Sequence, residues 1–174
     1  MDKISRRGLF RALPSLISES VKPVEKEEEK SEKPLLVRPP YLSENSDFSL
    51  CKKCAGDCVF SCEENILFRH EDGSPYISFK KSGCTFCGNC LSACQKGVLN
   101  NPSNKKVYGE TVIDTQRCLS WNGTMCFSCK DPCIDDAIKF QGLFKPIILS
   151  DKCTNCGFCL IYCPVDAILI RGLS

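Results

Sequence analysis

The sequence predicts an α+β protein made of two tandem small modules, preceded by a short helix and a flexible linker. Three observations carry this. Sixteen of the 174 residues are cysteines, and they fall into four quartets with none left over. The first cysteine of each quartet stands at 51, 84, 118 and 153, an almost constant step that marks an internal repeat. Around each quartet the apolar residues keep the same offsets: Phe79, Ile113 and Ile148 come five positions before the next quartet. Ile66 and Leu67, Val98 and Leu99, Ala137 and Ile138, and Ala167 and Ile168 follow the last cysteine of each.

The quartets are Cys51, Cys54, Cys58 and Cys62; Cys84, Cys87, Cys90 and Cys94; Cys118, Cys126, Cys129 and Cys133; and Cys153, Cys156, Cys159 and Cys163. The second and fourth read C-x2-C-x2-C-x3-C, the run that bacterial ferredoxins use to hold 4Fe-4S clusters. A cubane presents its irons at the corners of a tetrahedron, so a tight loop must turn three thiolates towards one small object. The fourth cysteine is expected at the start of a helix, reaching to the other cluster of a pair. All sixteen cysteines are therefore candidate ligands of four 4Fe-4S clusters. Adjacent pairing, first with second and third with fourth, is the simplest arrangement, and a nested one stays open. Disulfides are disfavoured because cysteines two residues apart in tight loops are poor partners. Structural zinc favours C-x2-C pairs separated by a dozen or more residues.

Each repeat reads as strand, cysteine loop, short helix, strand. Phe79, Ile113 and Ile148 suit strands entering the loops. The apolar pairs suit a helix packed under each cluster, and Pro164 suits the first position of such a helix. Asp72-Gly73-Ser74-Pro75 and Asn101-Pro102-Ser103-Asn104 are turn signals. The expected organisation is a basic amphipathic segment over 1–18, a linker over 19–46, one ferredoxin-like module over 47–115 and another over 116–174.

Within the linker, VEKEEEKSEKP has a disordered composition. Arg38-Pro39-Pro40-Tyr41 reads equally as linker or as a segment docked on the cluster domain. The opening Ser5-Arg6-Arg7-Gly8-Leu9-Phe10-Arg11 is similar to a twin-arginine export signal, but Arg11 and Pro14 interrupt the apolar stretch that export needs. Leu9, Phe10, Leu13, Leu16 and Ile17 share one side of a possible helix, open to reading as a partner- or membrane-binding element or as a frayed terminus.

Two quartets depart from the regular spacing. The first has three residues, Ala55-Gly56-Asp57, between its second and third cysteines; Gly56 can supply the unusual dihedrals of a bulge. A 4Fe-4S site is expected there, with a labile or differently tuned cluster as the alternative. The third inserts Leu119–Met125 after Cys118, with Trp121 as either a shield over the cluster or a docking anchor. His70 is placed in a hairpin with no metal role.

The formal charge of +2 counts neutral thiols. With four oxidised clusters, each adding about −2, the holo-protein comes to about −6, which does not suit nucleic acid. Nothing in the chain reads as a general base, a nucleophile or a substrate pocket, so no enzymatic activity of its own is expected.

The third-quartet insertion, CPVDAI in the fourth quartet, RPPY before the first and SRRGLFR at the start together resemble the NapF family, ferredoxin-type accessory proteins of bacterial periplasmic nitrate reductase systems. The resemblance implies a cytoplasmic iron-sulfur protein that assists maturation of the molybdenum-containing catalytic subunit before export, with that subunit's precursor as partner. The first quartet departs from the family's regular spacing. An electron-transfer subunit of a respiratory oxidoreductase, or a non-redox chaperone with structural clusters, are the rival readings.

Overall fold

Asp72-Gly73-Ser74-Pro75 turns the chain between β1 (Leu67–Arg69) and β2 (Pro75–Ile77), which pair antiparallel with Leu67 opposite Ile77. The Asp72 carboxylate accepts from the amide of Ser74 at 2.9 Å and from its hydroxyl, fixing the turn. The same local carboxylate-to-amide bonding makes Asp a turn residue generally. The computed structural model describes residues 35–173. The basic amphipathic segment, the paired arginines and the Glu/Lys half of the linker lie outside the described residues.

A second hairpin joins β4 (Ile138–Gln141) to β5 (Phe144–Ile148), and β3 (Glu110–Ile113) pairs antiparallel with β6 (Ile168–Arg171). Three helices of one turn each carry cysteines: α1 (Asp57–Phe60), α2 (Asn89–Ser92) and α3 (Phe158–Ile161). The predicted order of strand, cysteine loop, short helix and strand is complete around the fourth quartet, as β5, loop, α3 and β6.

Three local expectations are corrected. The helices precede the fourth cysteine of each run instead of starting at it; the third cysteine is the second residue of each helix, and Cys62, Cys94 and Cys163 follow the helix end. Pro164 accordingly lies in a turn. The apolar pairs are buried, as expected, but they are not helical: Leu67, Ile138 and Ile168 open strands. The cause is local. The residue three after each fourth cysteine is Asn65, Gly97, Asp136 or Asp166, and each has a positive φ. The left-handed region stops a helix and is tolerated best by Gly, Asn and Asp. Phe79 lies two residues beyond the end of β2, while Ile113 and Ile148 are in strands as expected.

The buried residues form two cores. One gathers Tyr41, Leu42, Ile66, Leu67, Val98, Leu99 and Val107, and the other Ile138 and Ile168 with half-buried Ile113, Phe140 and Ile148. RPPY belongs to the first. Pro39 and Pro40 are fully buried, Tyr41 is 2% exposed, and the Arg38 amide and carbonyl exchange hydrogen bonds with Tyr108 at 3.1 and 3.0 Å. This segment is docked. It closes the first half as β6 closes the second on β3, and β3 begins before residue 116.

Candidate metal centres

Each run of cysteines is shaped by backbone that bends where few residues can. In the second and fourth runs the residue before the second cysteine, Phe86 or Asn155, has a φ of 54° or 57°, and a left-handed glycine, Gly88 or Gly157, then starts the helix carrying the third. These bends wrap three cysteine side chains about a common centre. The fourth side chain comes from elsewhere.

Cys84, Cys87 and Cys90 line one cavity together with Cys62 of the first run, and Cys51, Cys54 and Cys58 line another together with Cys94 of the second. The other half repeats the exchange. Cys118, Cys126 and Cys129 share a cavity with Cys163, and Cys153, Cys156 and Cys159 share one with Cys133. Runs therefore pair first with second and third with fourth, each sending its last cysteine across. Apolar side chains complete two of the cavities, Ile66, Leu67 and Ile77 at one and Ile113, Pro146 and Ile168 at another, whereas the cavity of the fourth run also has Thr111, Asp135, Thr154 and Asn155 in its lining.

None of the sixteen cysteines is joined in a disulfide. Among the described residues no group of three or more His, Cys, Asp and Glu could hold a single metal ion. Four thiols lining one cavity match in number the four irons of a cubane. Burial pushes the thiols up, to about 11 at Cys58, Cys84 and Cys129 and about 12 at Cys90, with neighbouring cysteines adding to the rise. Thiolates here need a cationic group to draw them out, so binding would release protons. Four amides point at sulfur: Gly56 at Cys54 (3.5 Å), Leu99 at Cys94 (3.3 Å), Ala137 at Cys133 (3.3 Å) and Ala167 at Cys163 (3.2 Å). Hydrogen bonds to sulfur are one of the protein's means of setting a cluster's potential.

The irregular first run is built differently. A 3-10 turn, Phe48–Lys53, carries Cys51, and Gly56 at φ 87° takes up the extra residue, as its position in the sequence suggested. Arg69 then gathers the loop: its guanidinium donates to the carbonyls of Cys51 (3.0 Å), Cys54 (2.6 Å) and Ala55 (3.2 Å). Asp57 is turned away, accepting from Gln95 at 2.8 Å. In the third run Trp121 is half-buried, donates its ring N–H to the Pro146 carbonyl at 3.1 Å and has the Lys145 ammonium over its ring. Pro146 lines the adjoining cavity, so the indole backs the wall of that centre; the exposed apolar residue of this loop is Met125, at 63%. His70 lies beyond β1 with Nδ1 3.3 Å from Asp72, apart from every cysteine cavity.

Sequence reasoning missed two supporting residues, Arg69 and Asn155, and left a third, Tyr41 of RPPY, evenly between linker and docked segment. Tyr41 donates its hydroxyl to the Phe86 carbonyl at 2.7 Å; burial and the nearby Cys90, Cys84 and Cys87 push its phenol up to about 12, so it remains a donor. Asn155, 4% exposed, donates to the carbonyls of Val107 (3.1 Å) and Gly109 (2.6 Å) and accepts from Thr111 at 2.7 Å. Asn155 carried a signal: it stands within a cysteine loop at a position that takes a left-handed φ of 57°, where Asn is among the best-tolerated residues, and its Oδ1 also accepts from the Cys153 thiol at 3.5 Å.

Residues 50–98 match the model of the 4Fe-4S dicluster domain, and residues 146–169 match that of the 4Fe-4S binding domain. The ferredoxin-type protein NapF of Escherichia coli K12 is 34% identical over 142 residues, covering 79% of this chain and 85% of that protein. The chain belongs to the NapF family of ferredoxin-type proteins. NapF of Haemophilus influenzae is likewise 34% identical, over 79% of this chain and 80% of its own length. The methylamine utilization ferredoxin-type protein MauM of Methylorubrum extorquens is 31% identical over 79% of this chain and 72% of its own. The chain is thus an iron-sulfur protein of the 4Fe-4S ferredoxin type. Among the described residues no helix is long and apolar enough to cross a membrane.

Proposed function

We propose that this NapF-family chain is a cytoplasmic electron-transfer accessory protein that assists maturation of the catalytic subunit of periplasmic nitrate reductase, and that its sixteen cysteines hold four 4Fe-4S clusters in two tandem modules. The observation that carries the reading is the set of four cavities, each lined by four cysteines with no cysteine shared or left over. Bound there, a 4Fe-4S cluster supplies one-electron oxidation and reduction. The chain's own part is to aim the thiols, to exclude water with apolar lining and to donate amides to sulfur. The partner is the precursor of the catalytic subunit, and the chain does no catalysis alone.

Iron and sulfide analysis of anaerobically prepared protein, with electron paramagnetic resonance after reduction, tests the cofactor reading. About four cubanes per chain with pairwise spin coupling is the expected result, and tightly bound zinc in place of iron would overturn it. A pull-down with the catalytic-subunit precursor tests the role. Retention of the precursor, with the intact chain in the cytoplasmic fraction, is expected. A second reading, the electron-transfer subunit of a respiratory oxidoreductase, is favoured by the likeness to a relative named for methylamine utilization. Stable copurification with a mature enzyme, and not with the precursor, would select it.

A further inference from the structure

The cysteine loops of the second and fourth runs, which belong to different halves of the chain, touch through their backbones. The amide of Cys84 donates to the carbonyl of Cys156 at 2.6 Å. Cys84 lines the cavity it shares with Cys62, Cys87 and Cys90, and Cys156 lines the one it shares with Cys133, Cys153 and Cys159. The contact therefore joins two cysteine foursomes, not merely two loops.

Side chains around it are cut back to allow this approach. A Cβ on Gly83 would lie 2.7 Å from the Phe158 ring and 2.9 Å from the Cys156 carbonyl oxygen, and its φ is not of the left-handed kind, so closeness alone demands glycine there. From the other side, Phe79 of the first half packs on Gly157 of the fourth run; a Cβ there would lie 2.3 Å from its ring. This is the destination of Phe79, whose offset before the quartet matched the strand residues Ile113 and Ile148.

We propose that the Cys84 to Cys156 hydrogen bond is the electron path between the two modules. The proposal rests on the reading that the foursomes hold 4Fe-4S clusters. The path runs from Cys84 Sγ through its Cβ, Cα and amide nitrogen, across the hydrogen bond to the Cys156 carbonyl, and on through that residue's Cα and Cβ to its Sγ. One electron leaves the reduced side and one is gained on the other, with no proton or group transferred. Within each module the exchange of fourth cysteines interlocks the two foursomes. The four sites then form one series, in the order first, second, fourth, third run. The first and third runs, the two with irregular spacing, stand at its ends.

The test uses the holo-protein and Gly83→Val, which wedges the loops apart without altering a thiol, with Gly83→Ala as the smaller wedge should the valine variant lose iron. A photoreduced deazaflavin supplies less than one electron per chain, and freeze-quench electron paramagnetic resonance follows its redistribution between the modules at several protein concentrations. Hydrogen exchange at Cys84 reports whether the contact is open. In the unaltered chain, redistribution is expected to be independent of concentration, and in the variant that intramolecular phase is expected to be lost, leaving exchange that scales with concentration at unchanged iron and sulfide content. Concentration-dependent redistribution in the unaltered chain would overturn the path, as would an unchanged intramolecular rate in a variant whose Cys84 amide exchanges freely. Iron and sulfide well short of four cubanes in the unaltered chain would sink the cluster reading itself, a separate result.

Discussion

The two halves of the molecule arrive at the same exchange of cysteines by different supports. In the second half the sheet closes on its own repeat, with β3 paired to β6 along Glu110–Ile113, and Asn155 in the fourth run grips the backbone at Val107 and Gly109. In the first half no such strand pair exists among the described residues. Its closing partner is RPPY, which makes one β-bridge between Arg38 and Tyr108 and is otherwise held by irregular hydrogen bonds, from Arg38 to Ser74 and Pro75 and between Tyr41 and Asn100, Asn101 and Asn104; its second-run loop is held by Tyr41 from that same segment. What a repeat needs is the placement of its thiols. The elements that secure the placement can be drawn from outside the repeat.

Breaking the exchange itself has the largest expected effect. Cys94→Ser should disturb the centre of Cys51, Cys54 and Cys58 instead of the centre of its own run, because Cys94 lines their cavity. Cys62→Ser should do the converse. Iron analysis with resonance spectra of each variant checks this; damage confined to the mutated run's first three cysteines would mean that each quartet is self-contained.

Asn155→Ala comes next. It leaves the Val107 and Gly109 carbonyls and the Thr111 hydroxyl short of a partner in a buried place, at about 1–3 kcal/mol for each group left unsatisfied. Anaerobic urea denaturation followed by cluster absorbance should show the second half released first. Arg69→Gln sharpens the contrast within the first half. The loop of the irregular run loses its clamp, and cluster loss there should quicken by the equivalent of about 1–2 kcal/mol, while the regular runs keep their iron. Tyr41→Phe should be mildest, at about 1 kcal/mol for the one bond to Phe86. If Tyr41→Phe proved as costly as Asn155→Ala, the halves would rely on their supports equally.

The grouping of cysteines about each cavity was legible where thiol spacing records geometry: three cysteines at short intervals can face only one small object, although in the third run the Leu119–Met125 insertion sets Cys118 apart from its partners. The helices around them were harder to read. An apolar pair after Cys62 or Cys133 looks like the inner side of a helix until Asn65 and Asp136 are recognised as left-handed stops, and a stop of that kind is visible only when the four repeats are laid side by side. Phe79 misled for another reason. Its offset matched the strand residues Ile113 and Ile148, but its ring is committed to Gly157 in the other half, a contact that no local pattern encodes. Arg69 was illegible because a guanidinium serving four backbone carbonyls, those of Cys51, Cys54, Ala55 and Gly73, leaves no periodic trace.

The crossing of fourth cysteines has a consequence for assembly and injury. Since Cys62 and Cys94 each lie two residues beyond a short helix that carries a thiol of the neighbouring centre, neither centre of a half can be completed while the other run is unfolded. Iron uptake should accordingly be cooperative within a half, with singly filled intermediates scarce. By the same token, oxygen attack on one centre loosens a short helix beside its neighbour's fourth thiol, so injury to one centre weakens the other of the pair before it reaches the other half.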